Sequence, residues 1–388
     1  MLSRFALLQR LSSLCVLPWS HTTHYHCVIA GARGTWMVLS SGSDQGVVAP
    51  ALPRSLLSPG KRPINWLRVR LGIYALIFMV GLLVFGIVVV NPTFAPRGKT
   101  PGASASPEEL KTHVGALTGL PRSRQRDHLD SLNAAAAYIR AGWTRLGLTV
   151  EELPYQVGGR SFLNLTVSFG PKEAERIIIG AHYDVCGDQP GADDNASGVA
   201  GLLELARLLT THPVALGKRV DLVAYSTEEP PYFGSYAMGS SFHARGLKNQ
   251  GVKVALMLSL EMIGFFSERS GSQTFPTQVF KLFYPTRGDY VVLVGRLSEW
   301  GLMRTIKPMM QAHTEIAVYS TNAPTRIPGI DWSDHFSYWE VGYPALMVTD
   351  TSFLRNPNYH KATDTLDTLD FNRMAQVVDG VYGVATTF

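Results

Sequence analysis

Residues 176–198 read RIIIGAHYDVCGDQPGADDNASG. Arg176 to Tyr183 is an apolar run with the length of a buried strand, and Ser197 to Leu209 beyond it is an apolar helical stretch. The alternation continues outward from this segment. Val220 to Ser226, Val252 to Leu260 and Pro344 to Thr349 read as strands, and Tyr236 to Arg245, Trp300 to Ala312 and Phe371 to Val384 as helices. Upstream, Ser106-Pro107-Glu108-Glu109 forms a capping box that opens the domain. A helical pattern covers Asp127 to Leu146, and strands Thr149 to Tyr155 and Ser161 to Phe169 flank a turn at Gly158-Gly159. Short apolar strands separated by helices predict an α/β fold with a mixed, mostly parallel central sheet and helices on both faces. Ser267 to Leu297 carries no clear period, and no internal repeat is visible.

Sheets of this kind bind ligands in the crevice beyond the carboxyl ends of their strands. The chemically loaded residues lie there. The first strand ends in His182 and Asp184, the next in Glu228-Glu229 and the third in Glu261, while His360 sits in the loop NYHKATDT before the last helix. Asp184, two residues past His182, lies on the same side of an extended chain and can orient its imidazole. Asp193-Asp194 opens a helix, where one acid can cap the helix while the other binds a metal. Pro230-Pro231 holds Glu228-Glu229 at the edge of the core, so the pair needs compensating charge. One glutamate can then ligate while the other moves a proton. Glu261 follows an apolar run, and a buried carboxylate is costly unless paired. Two histidines with several carboxylates suit zinc. The set is too large for one four-coordinate ion with an open position and fits two ions sharing a carboxylate. The chain contains no HExxH, no G-x-S-x-G and no G-x-x-x-x-G-K. Cys186 reads as a packed or loop residue, and the string His21 to Cys27 as part of an unstructured tail.

The chain has 388 residues, 46% of them hydrophobic, which excludes intrinsic disorder as its general state. Three cysteines exclude a disulfide scaffold. The net charge of +5 is unevenly spread: residues 1–105 hold ten Lys or Arg against one acid, Asp44, and the remainder is net acidic. The basic character therefore belongs to the amino-terminal quarter and is not the footprint of a nucleic-acid-binding domain. Leu71 to Val90 contains no charge and is long enough to span the ~30 Å core of a bilayer as a helix. It exceeds the about 7–15 residues of a signal-peptide core and reads as an uncleaved anchor. Lys61, Arg62, Arg68 and Arg70 precede it, which predicts a cytoplasmic amino terminus and an extracytoplasmic domain. Residues 1–60 read as a disordered or over-extended start, 61–105 as the anchor with a Pro/Gly-rich flexible tether, and 106–388 as the catalytic domain.

AHYD, GADDNASG, STEEP, LEMIG and NYHKATDT, in that order, resemble the co-catalytic di-zinc aminopeptidase family of metallopeptidase clan MH. This is the family of bacterial leucyl aminopeptidase, with glutamate carboxypeptidase, the transferrin receptor and glutaminyl cyclase as relatives. The resemblance covers residues 107–388. It implies the zinc-dependent exopeptidase fold, two Zn2+ per chain and peptide substrates. His182 and Glu261 would complete one site, Glu229 and His360 the other, with Asp194 bridging. Glu228 would be the general base, Asp184 the support of His182, and Tyr359 a partner for the oxyanion. Many members carry Asp where this chain has Glu261. The resemblance implies an aminopeptidase with a metal-bridging water activated by Glu228; with the apolar run 71–90 as the bilayer contact, the expectation is a membrane-anchored aminopeptidase. The alternatives are a carboxypeptidase, for which Arg326 and Arg355 are candidate carboxylate binders, a single-zinc glutaminyl cyclase, or a metal-free receptor-like ectodomain. Ser333-Asp334-His335 also resembles a family motif and is given no catalytic role.

Overall fold

The computed structural model describes residues 64–93, 95–99 and 103–388, together with two short strands, β1 (Cys27–Ala30) and β2 (Trp36–Leu39). β1 and β2 pair antiparallel, an element the amino-terminal pattern did not signal. The rest of the expectation for residues 1–60, including all of the histidine-rich string except Cys27, lies outside the described residues. The chain divides into two units, Met1–Trp66 and Leu67–Phe388.

The apolar segment forms helix α1 (Trp66–Phe85), which runs on as a π-helical turn, Gly86–Val90. Together they make 25 residues, within which an 18-residue window has mean hydropathy 3.0 and is only 6% buried. The helix begins earlier than the apolar run, so Arg68 and Arg70 lie within its first turns. Its carboxyl end is docked. The Phe85 ring packs against Phe280 and Phe283, at 5.6 and 5.1 Å between centroids. Lys307 Nζ donates to the carbonyls of Val90 (3.4 Å) and Asn91 (2.7 Å), and Ser320 Oγ donates to Val90 O (2.9 Å). A cation at this position complements the negative end of the helix dipole. Burial lowers the Lys307 pKa to about 8. The Pro/Gly-rich stretch read as a tether is also held in its described parts. Gly98 N donates to Thr314 O (3.3 Å), Lys99 pairs with Glu315 (2.9 Å), and Ala105 N donates to Asp379 (2.7 Å).

Beyond it come α2 (Pro107–Thr118), capped as expected by Ser106 accepting from Glu109 N (3.2 Å), and α3 (Leu129–Arg145). The sheet elements follow: β3 (Glu151–Val157), β4 (Arg160–Phe169), β5 (Arg176–His182), α4 (Gly198–Thr211), β6 (Arg219–Tyr225), α5 (Gly239–Asn249) and β7 (Val254–Glu261). The chain then adds β8 (Tyr290–Gly295), α6 (Trp300–Ala312), β9 (Ala317–Asn322), α7 (His335–Glu340), β10 (Ala345–Thr349) and α8 (Phe371–Thr387). β8, β9 and α7 had no clear signal in the sequence pattern.

The eight strands lie in the order β3-β4-β6-β5-β7-β10-β8-β9. β6, β5, β7 and β10 are mutually parallel, as are β8 and β9, while β3, β4 and the β10–β8 junction pair antiparallel. The fold is the expected mixed α/β sheet. β5 shows why its neighbours cover both faces. Ile177, Ile179 and Ala181 point into the core built with α2, α4, α6 and α8, whereas Ile178 points into the core built with α5 and α7. At Gly180 a Cβ would lie 2.3 Å from the buried Tyr225 ring, so the strand needs glycine there.

Arg124, in the α2–α3 connection, is 1% exposed and ties the site loop to this sheet. Its guanidinium donates to four backbone carbonyls, those of Leu117, Tyr183, Pro190 and Gly191, at 2.8–2.9 Å. Burial lowers its pKa to about 10. Arg124→Ala leaves these acceptors without donors and is expected to cost about 3–5 kcal/mol of stability. Arg124→Lys, which lacks the planar fork, should restore only a minor part. Urea denaturation of the detergent-solubilised chain reads both, and an unchanged midpoint for the alanine variant would mean that other contacts hold the loop.

Candidate metal centre

The parallel strands deliver their terminal residues to one crevice. His182 ends β5, Glu261 ends β7, and Glu228-Glu229 follows β6 after two residues, Ser226 and Thr227. Asp184 fixes two of these at once. Its carboxylate lies 3.2 Å from His182 Nδ1 and accepts the backbone N–H groups of Glu228 (3.0 Å) and Glu229 (3.1 Å). The sequence pointed to the first role and missed the second, by which Asp184 pins the glutamate turn beside the histidine.

The two acids of the Gly-rich loop separate in function. Asp193 turns inward, accepting from Gly264 N (2.9 Å) and Asn356 Nδ2 (2.7 Å). Asp194 turns toward the crevice. Its Oδ1 lies 3.5 Å from His182 Nε2 and its Oδ2 lies 3.1 Å from His360 Nε2. The loop is shaped by Gly191, whose φ of +61° and crowding by Val185 and the Asp194 carbonyl exclude a side chain. Asp364, a residue of the NYHKATDT stretch whose part the sequence did not reveal, holds the loop by accepting the N–H groups of Asp193 and Asp194 at 3.0–3.2 Å.

Glu261 Oε2 lies 3.3 Å from His182 Nε2 and accepts from Ser333 Oγ (2.7 Å). Glu229 Oε2 lies 3.3 Å from His360 Nε2. Ser333 is thus the member of Ser333-Asp334-His335 that serves the site, by positioning Glu261. His360 has φ +56°, in the left-handed region that a non-glycine residue adopts at a cost. Tyr359 stacks on its imidazole at 3.8 Å and lines the same cavity as the carboxylates.

All the proposed ligands therefore converge. Among them, His182 Nε2, His360 Nε2, Asp194 Oδ2 and Glu229 Oε1 are buried and make no hydrogen bond. Nitrogen-to-oxygen separations of 3.1–3.5 Å without hydrogen bonds need another explanation. Ligands at the usual zinc distances form a tetrahedron whose edge is about 3.3 Å. The donor set and its orphaned atoms fit divalent metal binding. Electrostatics agrees. Burial raises Glu228 well above the carboxylate range and Glu229 to about 8, with the neighbouring carboxylates adding to both. Burial opposes charge on His360, but Asp194 and Glu229 outweigh it and lift the imidazole to about 10. The cluster thus holds protons tightly, and a cation can replace them.

Cys186, read from sequence as a packed or loop residue, is half-buried with its sulfur within 4.8 Å of ligating atoms of Glu229 and His360. The two arginines considered for a substrate carboxylate are elsewhere. Arg355 is buried, donating to Gln273 Oε1 and Tyr290 O at 2.8 Å, and Arg326 is exposed. Neither lines the cavity beside the candidate metal centre, which has no Lys or Arg in its lining among the described residues.

The comparisons with known proteins follow this geometry. Residues 164–385 match the model of peptidase family M28. The uncharacterized protein YfbL of Escherichia coli is 44% identical over 317 residues, 80% of this chain and 96% of that one. Leucine aminopeptidase 1 of Arthroderma otae is 26% identical over 65% of this chain, which spans 64% of that protein's length. The fold is shared with the LapA aminopeptidase of Legionella pneumophila (TM-score 0.57, 20% identity, 72% of this chain and 71% of that one). It is also shared with the glutaminyl cyclase of Porphyromonas gingivalis (TM-score 0.52, 20% identity, 72% and 98%). With more than half of its length matched by the family model, and a relative at 44% identity across most of the chain, the protein belongs to peptidase family M28.

Proposed function

We propose that this chain is a membrane-anchored aminopeptidase that works with two zinc ions. The observation that carries the reading is the double presentation of Asp194, one carboxylate oxygen toward His182 and the other toward His360. His182, Asp194 and Glu261 would hold one cation, and Asp194, Glu229 and His360 the other. Such ions, when bound, lower the pKa of a water molecule and polarise the scissile carbonyl.

The chain's own groups supply the rest. Glu228 is buried beside the ligands, its backbone fixed by Asp184, and it is the carboxylate left over for proton transfer. It accepts the proton of the attacking water and returns it to the leaving amine. The Tyr359 phenol faces the same cavity and is the donor for the oxyanion. Amino-terminal specificity is favoured by charge. A cavity with acidic groups at one end and no Lys or Arg in its lining suits a substrate ammonium and offers no partner to a substrate carboxylate. The aminopeptidases among the relatives support the same choice. The apolar α1 helix and its cationic approach support a single span with the catalytic domain outside the cytoplasm.

Glu228→Gln should retain the metal content of the parent, measured by elemental mass spectrometry, while kcat on an aminoacyl anilide falls by about 100- to 10,000-fold. Parental turnover in this variant would remove Glu228 from the role of base. Metal counting separates this reading from the cyclase that shares the fold. Dialysis against chelator followed by zinc titration should restore activity at two ions per chain, whereas full activity with one would favour the single-zinc reaction. A reporter fused after Phe388 tests the topology: alkaline phosphatase should be active there in bacterial cells, and a cytoplasmic location of the fusion would reverse the orientation.

A further inference from the structure

The ligands and the apolar groups beyond them line one cavity of about 470 Å³. The whole of it is about three times the ~150 Å³ space that accommodates one benzene molecule, more room than one natural side chain takes. Its body is apolar: Val294 of β8, Met347 of β10 and Ile330 line it, and among the described residues the only ionisable groups besides the metal cluster are tyrosine phenols. The far end is closed by Phe275, Phe280 and Tyr284, which stack on one another at 5.7–6.4 Å.

The same rings form the seat of the apolar helix. Phe280 and Tyr284 cluster with Val90, the last residue of that helical stretch, and Phe85 packs edge-on to Phe280 at 5.6 Å. One layer of aromatic side chains therefore separates the cavity from the end of a segment long and apolar enough to cross a bilayer. Large apolar cavities beside a few placed polar groups are the usual form of small-molecule sites.

We infer that the cavity between β8, β10 and the Phe280–Tyr284 wall takes a linear apolar chain longer than any natural side chain, so that the preferred substrate is an amphiphilic α-aminoacyl amide. The inference rests on the aminopeptidase reading for its chemistry, with the substrate's amino end at the acidic cluster and its apolar chain in the cavity. An amphiphile of this kind concentrates at a bilayer surface, next to the helix end that backs the cavity.

The test uses the full chain in detergent-free nanodiscs, loaded with zinc. For p-nitroanilides of leucine, 2-aminohexanoic, 2-aminooctanoic and 2-aminodecanoic acids, kcat/KM should climb with length by at least about tenfold overall, as expected for burying added methylenes. Within the variant Val294→Trp, which adds bulk to the apolar lining of the cavity, the ratio of the longest to the leucyl substrate should fall to near unity. A second arm needs no turnover. Calorimetric titration of the chelated protein should give 2-amino-1-decanol a Kd at least about tenfold below that of leucinol. If the leucyl anilide is cleaved but neither kcat/KM nor Kd improves with chain length, the inference is overturned and the aminopeptidase reading stands. If no anilide is cleaved but the long amino alcohol binds preferentially, the cavity assignment stands and the aminopeptidase reading fails.

Discussion

The structure around the crevice is organised by an excess of buried negative charge. Asp184, Asp194, Glu228, Glu229 and Glu261 are all nearly inaccessible to solvent and lie around two histidines. Ionised carboxylates at that density are strongly unfavourable without cations, and the raised pKa of Glu228, Glu229 and Glu261 expresses this. A fold selected for stability alone would replace such a cluster with apolar residues. Its presence, with four potential donor atoms left without hydrogen bonds, fits the binding of divalent cations.

Holding that charge in place demands a supporting framework, and much of the polar interior is devoted to it. Asp184 uses its carboxylate on a histidine and two backbone amides, Asp364 on two further amides, and Arg124 spends its donors on carbonyls that flank the loop. Ser333 fixes Glu261 and is itself joined to Ser259 at 2.7 Å. None of these groups needs to touch a metal. They restrict the rotamers and loop conformations that do, which matters because a site loosened by about 1 Å loses much of its catalytic effect.

The division between what was legible in the sequence and what was not follows from chain-local and chain-distant effects. His182, Glu228-Glu229 and Glu261 stand at or just after the ends of apolar strands, so the strand pattern alone places them on one edge of the sheet. Asp194 and His360 were assigned through the motif resemblance, and the geometry brings them to the same point. Arg124, Asp364 and Ser333 act through partners 7 to 171 residues away, and no local pattern marks them. β8 carries no legible signal because the 267–297 segment mixes turns, aromatic residues and charge, and its burial comes from tertiary packing rather than from a periodic face. Cys186 was read from its own neighbours only, and its approach to Glu229 and His360 arises from the fold.

The junction between the apolar helix and the domain shows how composition alone can mislead. A Pro- and Gly-rich stretch after a hydrophobic segment suggests independent motion of anchor and domain. Here the helix end is gripped instead. Asn91, in a left-handed conformation, ends the helical stretch, its carbonyl and that of Val90 accept from the buried Lys307, and Trp300 Nε1 donates to Ile87 O at 3.1 Å. The aromatic rings beneath this junction are also the wall of the cavity beside the metal centre. The helix end and the cavity wall are therefore one packed structure. Under the proposed membrane attachment, such a junction would fix the height and attitude of the crevice over the bilayer, where a free tether would leave both to chance.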